Sequence, residues 1–219
     1  MIELKDISIA IGGKTILKEC NICFPDGSVT ALTGRNGSGK STLLRAIASL
    51  IDNYSGEAII DGISSREMAA SQLARHLAIV STQRVRIPNL TCREVVSLGR
   101  APYTSWRGQL LEKDRQIVEE ALEMVGMKAF ADRSMDRMSD GECQKVMIAR
   151  ALAQDTRNIL LDEPNAFLDF QNRNEVGRLL SDLAHKQGKC IIYSTHEPDL
   201  AKIYSDSILE ISSEHLVRK

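Results

Sequence analysis

Aromatic residues make up only 4% of the chain, and neither sign of charge dominates it, the formal net charge at pH 7 being −1. The first scarcity leaves no aromatic platform for stacking bases. The second leaves no basic field for holding a phosphate backbone, so nucleic acid is not an expected partner. Long apolar runs of bilayer-spanning length are also missing. The opening "MIELKDISIA" lacks the basic flank and long apolar stretch of a secretion signal. Cysteine is present but unorganised: Cys20, Cys23, Cys92, Cys143 and Cys190 are an odd set without disulfide spacing, which fits reduced thiols in a cytosolic protein. Cys20 and Cys23 make a C-x-x-C, yet no second pair or nearby histidine completes a metal site, and "ILKECNICF" reads as a strand.

What is present is an ordinary globular balance, with 43% hydrophobic residues over 219 positions. That supports one good core, with a small satellite at most, and not several independent domains. "SVTALT" (28–33) is β-rich and leads through "GRNGSGKST" into the helical "LLRAIASL". "GEAIIDG" alternates between turn residues and predicts a short antiparallel strand. "LAIVS" (77–81), "NILL" (158–161) and "CIIYS" (190–194) are short apolar runs of the buried-strand kind, separated by helical stretches. That alternation predicts an α/β protein with a covered parallel sheet.

Residues 84–155, between two of these strands, read as a small helical insert. Thr91 and Glu94 stand at capping-box spacing, and the helix they open is expected to end at Gly99, with Pro102 preventing its continuation. Ile117, Val118, Ala121, Leu122 and Val125 fall on one helical stripe, as core packing requires.

Gly34, Arg35, Asn36, Gly37, Ser38, Gly39, Lys40 and Ser41, followed by Thr42, match G-x-x-x-x-G-K-[ST] in full, in strand–loop–helix context. The glycines let backbone N–H groups turn toward phosphate oxygens, and the helix start adds its positive dipole end. Lys40 can reach β- and γ-phosphates, and the Ser41 hydroxyl can ligate Mg²⁺. Asp162 and Glu163 close an apolar strand, where successive side chains point oppositely: Asp162 can face the metal and Glu163 an attacking water.

With these residues placed, the chain resembles the ATP-binding subunits of ABC transporters. After the phosphate loop comes Gln83 as the Q-loop, then "MSDGEC" in place of the LSGGQ signature, "ILLDEP" as Walker B, "AFLD" as the D-loop and "STH" ending in the switch histidine His196. The resemblance implies a P-loop NTPase with a mixed, mainly parallel core sheet, an N-terminal antiparallel portion and the helical insert, in one domain over residues 1–219. It also implies hydrolysis of ATP with Mg²⁺, with Glu163, His196, Lys40 and Gln83 catalytic and with Ser41, Gln83 and Asp162 at the metal. Ser139, Asp140, Gly141 and Glu142 are to bind the γ-phosphate held by the other subunit of a head-to-tail homodimer that Asp169 bridges. Ser139 and Glu142 also have capping-box spacing, so this helix start is both a cap and half a site.

Two positions depart from the family pattern. Asp140 stands where glycine is usual, putting a carboxylate near a polyanion, and is expected to point away from it. Ile11 stands where an aromatic often stacks on adenine, so weaker base discrimination is expected. "CREVVSLGRAPYTSW" (92–106) and "ALAQDT" (151–156) resemble bacterial importers of iron chelates, haem and cobalamin. That implies transmembrane permease subunits as partners, an extracytoplasmic substrate-binding protein indirectly, and a peripheral place on the cytoplasmic face of the membrane. A soluble ABC ATPase serving an assembly such as iron–sulfur cluster construction is the alternative.

Overall fold

The computed structural model describes residues 1–82, 87–105 and 108–219. Along the chain, β1 (Ile2–Ile11) and β2 (Lys14–Phe24) form a hairpin, and β3 (Ser28–Thr33) leads into α1 (Lys40–Ile47). Then come β4 (Tyr54–Ile60), β5 (Ile63–Ser64), α2 (Ala70–His76) and β6 (Leu77–Val80). Three helices, α3 (Cys92–Ser97), α4 (Glu112–Met124) and α5 (Asp140–Ala153), precede β7 (Asn158–Asp162). The chain finishes with α6 (Phe170–Gln187), β8 (Cys190–Ser194), α7 (Pro198–Tyr204), β9 (Ser207–Ser212) and β10 (His215–Arg218).

The strands make two sheets, an antiparallel one ordered β2-β1-β4-β5 and a larger one ordered β10-β9-β3-β8-β7-β6. Among the described residues, the β9–β10 pair of the larger sheet is antiparallel and its other pairs are parallel. This is the mixed, mainly parallel sheet with a separate antiparallel portion that the sequence leads one to expect. The "GEAIIDG" strand is β4, antiparallel to β1. Cys20 and Cys23 lie in β2, the first buried and the second exposed.

β7 and β8 are buried at every position. Each strand alternates between two cores: Ile159, Leu161, Ile191 and Tyr193 pack with α3–α6, whereas Leu160 and Ile192 pack with β1, β2 and α1. A strand covered on both faces needs apolar residues at every position, which is why these segments read as continuous runs rather than alternating ones.

Helix ends are set by local chemistry. The Thr91 and Glu94 capping box opens α3, with Thr91 N–H donating to Glu94 Oε2 at 2.7 Å. Val118, Ala121, Leu122 and Val125 of the predicted stripe are buried, with Ile117 packed against them. α6 begins where Asp169 accepts the Asn172 N–H at 2.8 Å and ends at Gly188, whose φ of 68° stops the helix.

One boundary differs from expectation. α3 stops at Ser97, but the chain coils on in 3₁₀ turns from Leu98 to Tyr103, through Pro102. Gly99 is therefore not a helix terminator. It is glycine because the segment presses on α5: a Cβ there would lie 2.2 Å from the Arg150 carbonyl oxygen. Its neighbour Arg100 is 5% exposed, and its guanidinium donates to Asp114 at 2.9 Å and to the Ala153 carbonyl at the end of α5, also at 2.9 Å. The Tyr103 ring covers the same guanidinium at 4.1 Å. Together, Gly99, Arg100 and Tyr103 tie this segment to α4 and α5.

Candidate active site

The parallel strands β3, β8 and β7 end along one edge of the large sheet, with Leu32 paired to Ser194 and Ser194 to Asp162. That register gathers the phosphate loop, Asp162, Glu163 and His196 around one cleft. Asn36, Gly37, Gly39, Lys40, Ser41 and Thr42 line it together with Glu163 and His196.

The loop from Gly34 to Gly39 joins β3 to α1. Ser38 N–H donates to the Arg35 carbonyl at 3.1 Å, and the Lys40 ammonium curls back to the carbonyls of Gly34 and Arg35 at 3.1 and 3.4 Å. Gly39 has φ 103°, and a Cβ on it would fall 2.0 Å from Cγ2 of Ile16 in β2. Ile16 therefore covers this side of the loop, and nothing in its own sequence neighbourhood signals that role.

Lys40 is 5% exposed, and burial holds its ammonium below the ordinary lysine range, with Glu163 and Asp162 pulling it back up. The buried Ser38 hydroxyl has no hydrogen-bond partner among the described residues. A buried donor left unmet is costly, so this cradle fits an anionic ligand oxygen.

Across from the loop, Ser41 Oγ donates to Asp162 Oδ1 at 2.9 Å, and Ser194 Oγ donates to the same oxygen at 2.7 Å. Glu163 N–H donates to Ser194 Oγ at 2.8 Å. Glu163 sits at φ 50°, an uncommon conformation for a non-glycine residue. Its Oε1 accepts from His196 Nε2 at 2.6 Å; a carboxylate only accepts, so in this pairing Nε2 carries the proton. The sequence singles out every member of this chain except Ser194. Gln83 lies outside the described residues, as do Arg84, Val85, Arg86, Trp106 and Arg107.

The signature residues sit elsewhere. Ser139 caps α5, accepting Glu142 N–H at 3.2 Å, while Ser139 N–H donates to Glu142 Oε2 at 2.7 Å. That backbone hydrogen bond, against opposing burial, holds the Glu142 carboxyl below its usual range. Ser139, Asp140, Gly141 and Glu142 line a groove with Phe167, Leu168 and Asp169, and this groove shares no lining residue with the phosphate-loop cleft. Ile11 is 46% exposed at the end of β1.

The family model described as ABC transporter matches residues 17–166. The chain is similar to the petrobactin import ATP-binding protein FpuD of Bacillus anthracis, 37% identical over 98% of this chain and 79% of that one. It is also similar to the achromobactin transport ATP-binding protein CbrD of Dickeya dadantii, 38% identical over 96% of this chain and 78% of that one. Among solved structures it resembles the dimeric ABC transporter cassette MJ0796, with a TM-score of 0.88 and 29% identity over 100% of this chain and 97% of that one. It resembles the same cassette in a post-hydrolysis state bound to ADP and Pi, with a TM-score of 0.87 and 29% identity over 100% and 98% of the two chains. By its phosphate loop, its strand-end carboxylates and these relatives, the chain belongs to the ABC transporter family, as one of its ATP-binding and ATP-hydrolysing cassettes.

Proposed function

We propose that this cassette powers the import of an iron–siderophore or related metal chelate, acting as an ATP-closed homodimer on the cytoplasmic face of a transmembrane permease. The petrobactin import and achromobactin transport names of its relatives support the cargo class over a soluble assembly role. The hydrogen-bonded chain from Ser41 through Asp162, Ser194 and Glu163 to His196, beside buried Lys40, is the observation that carries the chemistry.

Each residue then has a task. Backbone N–H groups from Gly34 to Gly39 and the Ser38 hydroxyl cradle the phosphates at the α1 start, with Asn36 and Thr42 at the rim. Lys40 leaves its carbonyl partners to reach the β- and γ-phosphate oxygens, whose negative charge favours the ammonium form. Ser41 Oγ and Asp162 Oδ1, 2.9 Å apart, are the adjacent hard oxygens suited to Mg²⁺, with Gln83 as a third candidate. Held by Ser41, Asp162 and Gln83, Mg²⁺ would supply positive charge against the negative charge that develops during phosphoryl transfer.

Glu163 orients the attacking water and accepts its proton. His196 steadies that carboxylate through Nε2–H and turns the same proton to the γ-phosphate. Ser139, the Gly141 backbone and the positive end of α5 bind the γ-phosphate held by a second copy, with the Asp140 carboxylate turned aside and Glu142 held by its cap. The separation of the two clefts within one chain supports this division between copies. Asp169, beside the groove, bridges the subunits. An extracytoplasmic substrate-binding protein and the permease select the cargo, and the binding protein is an indirect partner of this chain.

The test is to tag the chain in its native cell, solubilise membranes gently and identify what co-purifies by mass spectrometry. A polytopic permease of the metal-chelate class is expected. A soluble scaffold without a permease would replace the importer reading with the assembly one and leave the ATP site as argued.

A further inference from the structure

We propose that Ser194 is a positioning residue for ATP hydrolysis, one whose single hydroxyl sets both the metal-side carboxylate Asp162 and the backbone of Glu163. The proposal rests on the ATPase reading above and adds a residue to it.

The argument begins with strand order. β8 lies between β3, which feeds the phosphate loop, and β7, which ends in Asp162. Ser194 is the last residue of β8 and is paired in register with Asp162, so their side chains stand on the same face at the carboxyl edge of the sheet. Ser194 is fully buried, so water cannot replace its contacts. Its O–H donates to Asp162 Oδ1 at 2.7 Å, and its oxygen accepts Glu163 N–H at 2.8 Å. An alanine here would remove both bonds, and a valine would fill the space without restoring either.

Two features make this more than the satisfaction of a buried polar group. Asp162 Oδ1 receives two hydroxyls, from Ser194 and from Ser41. Ser41 is the one expected to leave for a cation, and Ser194 is then the hydroxyl that still orients the carboxylate. An outer partner of this kind sets the direction and strength of an inner ligand. Glu163, meanwhile, holds a positive φ of 50°, a conformation that persists only when its surroundings over-determine it. The N–H bond to Ser194 is one of those constraints and aims the side chain toward His196. One oxygen thus links the metal geometry to the water-activating carboxylate.

The experiment compares the whole wild-type chain with Ser194→Ala and Ser194→Thr, each checked for folding by thermal melting. Steady-state ATPase is measured across Mg²⁺ concentration, metal-free ATP binding is measured in EDTA, and exchange of the Glu163 amide is followed. For Ser194→Ala we expect kcat to fall about tenfold or more, with a several-fold rise in the Mg²⁺ midpoint and faster Glu163 amide exchange. Metal-free ATP affinity is expected to stay within about twofold, because the Ser194 hydroxyl bonds Asp162 and Glu163 and not the backbone donors of the phosphate loop. Ser194→Thr, which keeps the hydroxyl, is expected to recover most of kcat and the Mg²⁺ midpoint. A folded Ser194→Ala with wild-type kcat and Mg²⁺ midpoint overturns the proposal, and so does metal-free affinity falling in step with kcat. A wild-type chain without Mg²⁺-dependent ATPase overturns the ATPase reading and this proposal with it.

Discussion

The phosphate-loop cleft and the α5 start are both built to meet anions, but they stand in opposite states of completion. At the cleft, Lys40 is buried against its own loop carbonyls and the Ser38 hydroxyl has no partner among the described residues, so the site is poised for an incoming anion. At α5, Ser139 and Glu142 satisfy one another through the capping box, and no phosphate loop of the same chain lies in that groove. On the function proposed above, the difference means that ATP binds one chain while the second half of the site waits for a partner copy. On that reading one motif serves as helix cap and ligand site: the cap uses Ser139 N–H, one Ser139 Oγ lone pair, Glu142 N–H and a Glu142 carboxylate oxygen, while the Ser139 hydroxyl proton and the Gly141 N–H take no part in it.

The contrast can be broken at its strong end first. Glu163→Gln should lower steady-state ATPase by about 100-fold or more while preserving ATP binding, and Lys40→Ala should lose the binding as well; ATPase and nucleotide titrations separate the two. The support beneath the other end comes next. Asp114→Ala strands the buried Arg100 guanidinium and should cost about 3 kcal/mol in urea unfolding, because an unpaired buried charge is expensive. Ser139→Ala removes only the cap hydroxyl and should cost about 1 kcal/mol of stability by the same assay, with ATP affinity of the single chain unchanged. The smallest effect is at the base: with Ile11 in place of an aromatic, GTP should compete for binding within a few-fold of ATP, about 1 kcal/mol or less. Strict ATP preference would show that another residue reads the base.

How much of this was legible in the sequence depended on how local the physics was. The phosphate loop, the capping boxes at Thr91 and Ser139, and the runs that became β6, β7 and β8 are all decided within a few residues, and they stand where the pattern put them. Ser194 reads in sequence only as part of an apolar strand, because its importance comes from the register of β7 against β8, a relation no single segment carries. Ile16 was silent for the same reason, since it meets the loop across the hairpin of β1 and β2. Gly99 looks in sequence like a helix terminator, because a glycine needed for close packing against α5 cannot be told there from one that ends a helix. Arg100 matched a family stretch without a reason until Asp114 and the Ala153 carbonyl were placed around it.

The measurement that tests the divided site most directly is sedimentation velocity of the Glu163→Gln chain with ATP and Mg²⁺, alone and with Ser139→Arg added. The account predicts a dimer for the single variant and a monomer that still binds ATP for the double variant. A Glu163→Gln chain that stays monomeric with ATP bound, or a dimer indifferent to arginine at the start of α5, would contradict it.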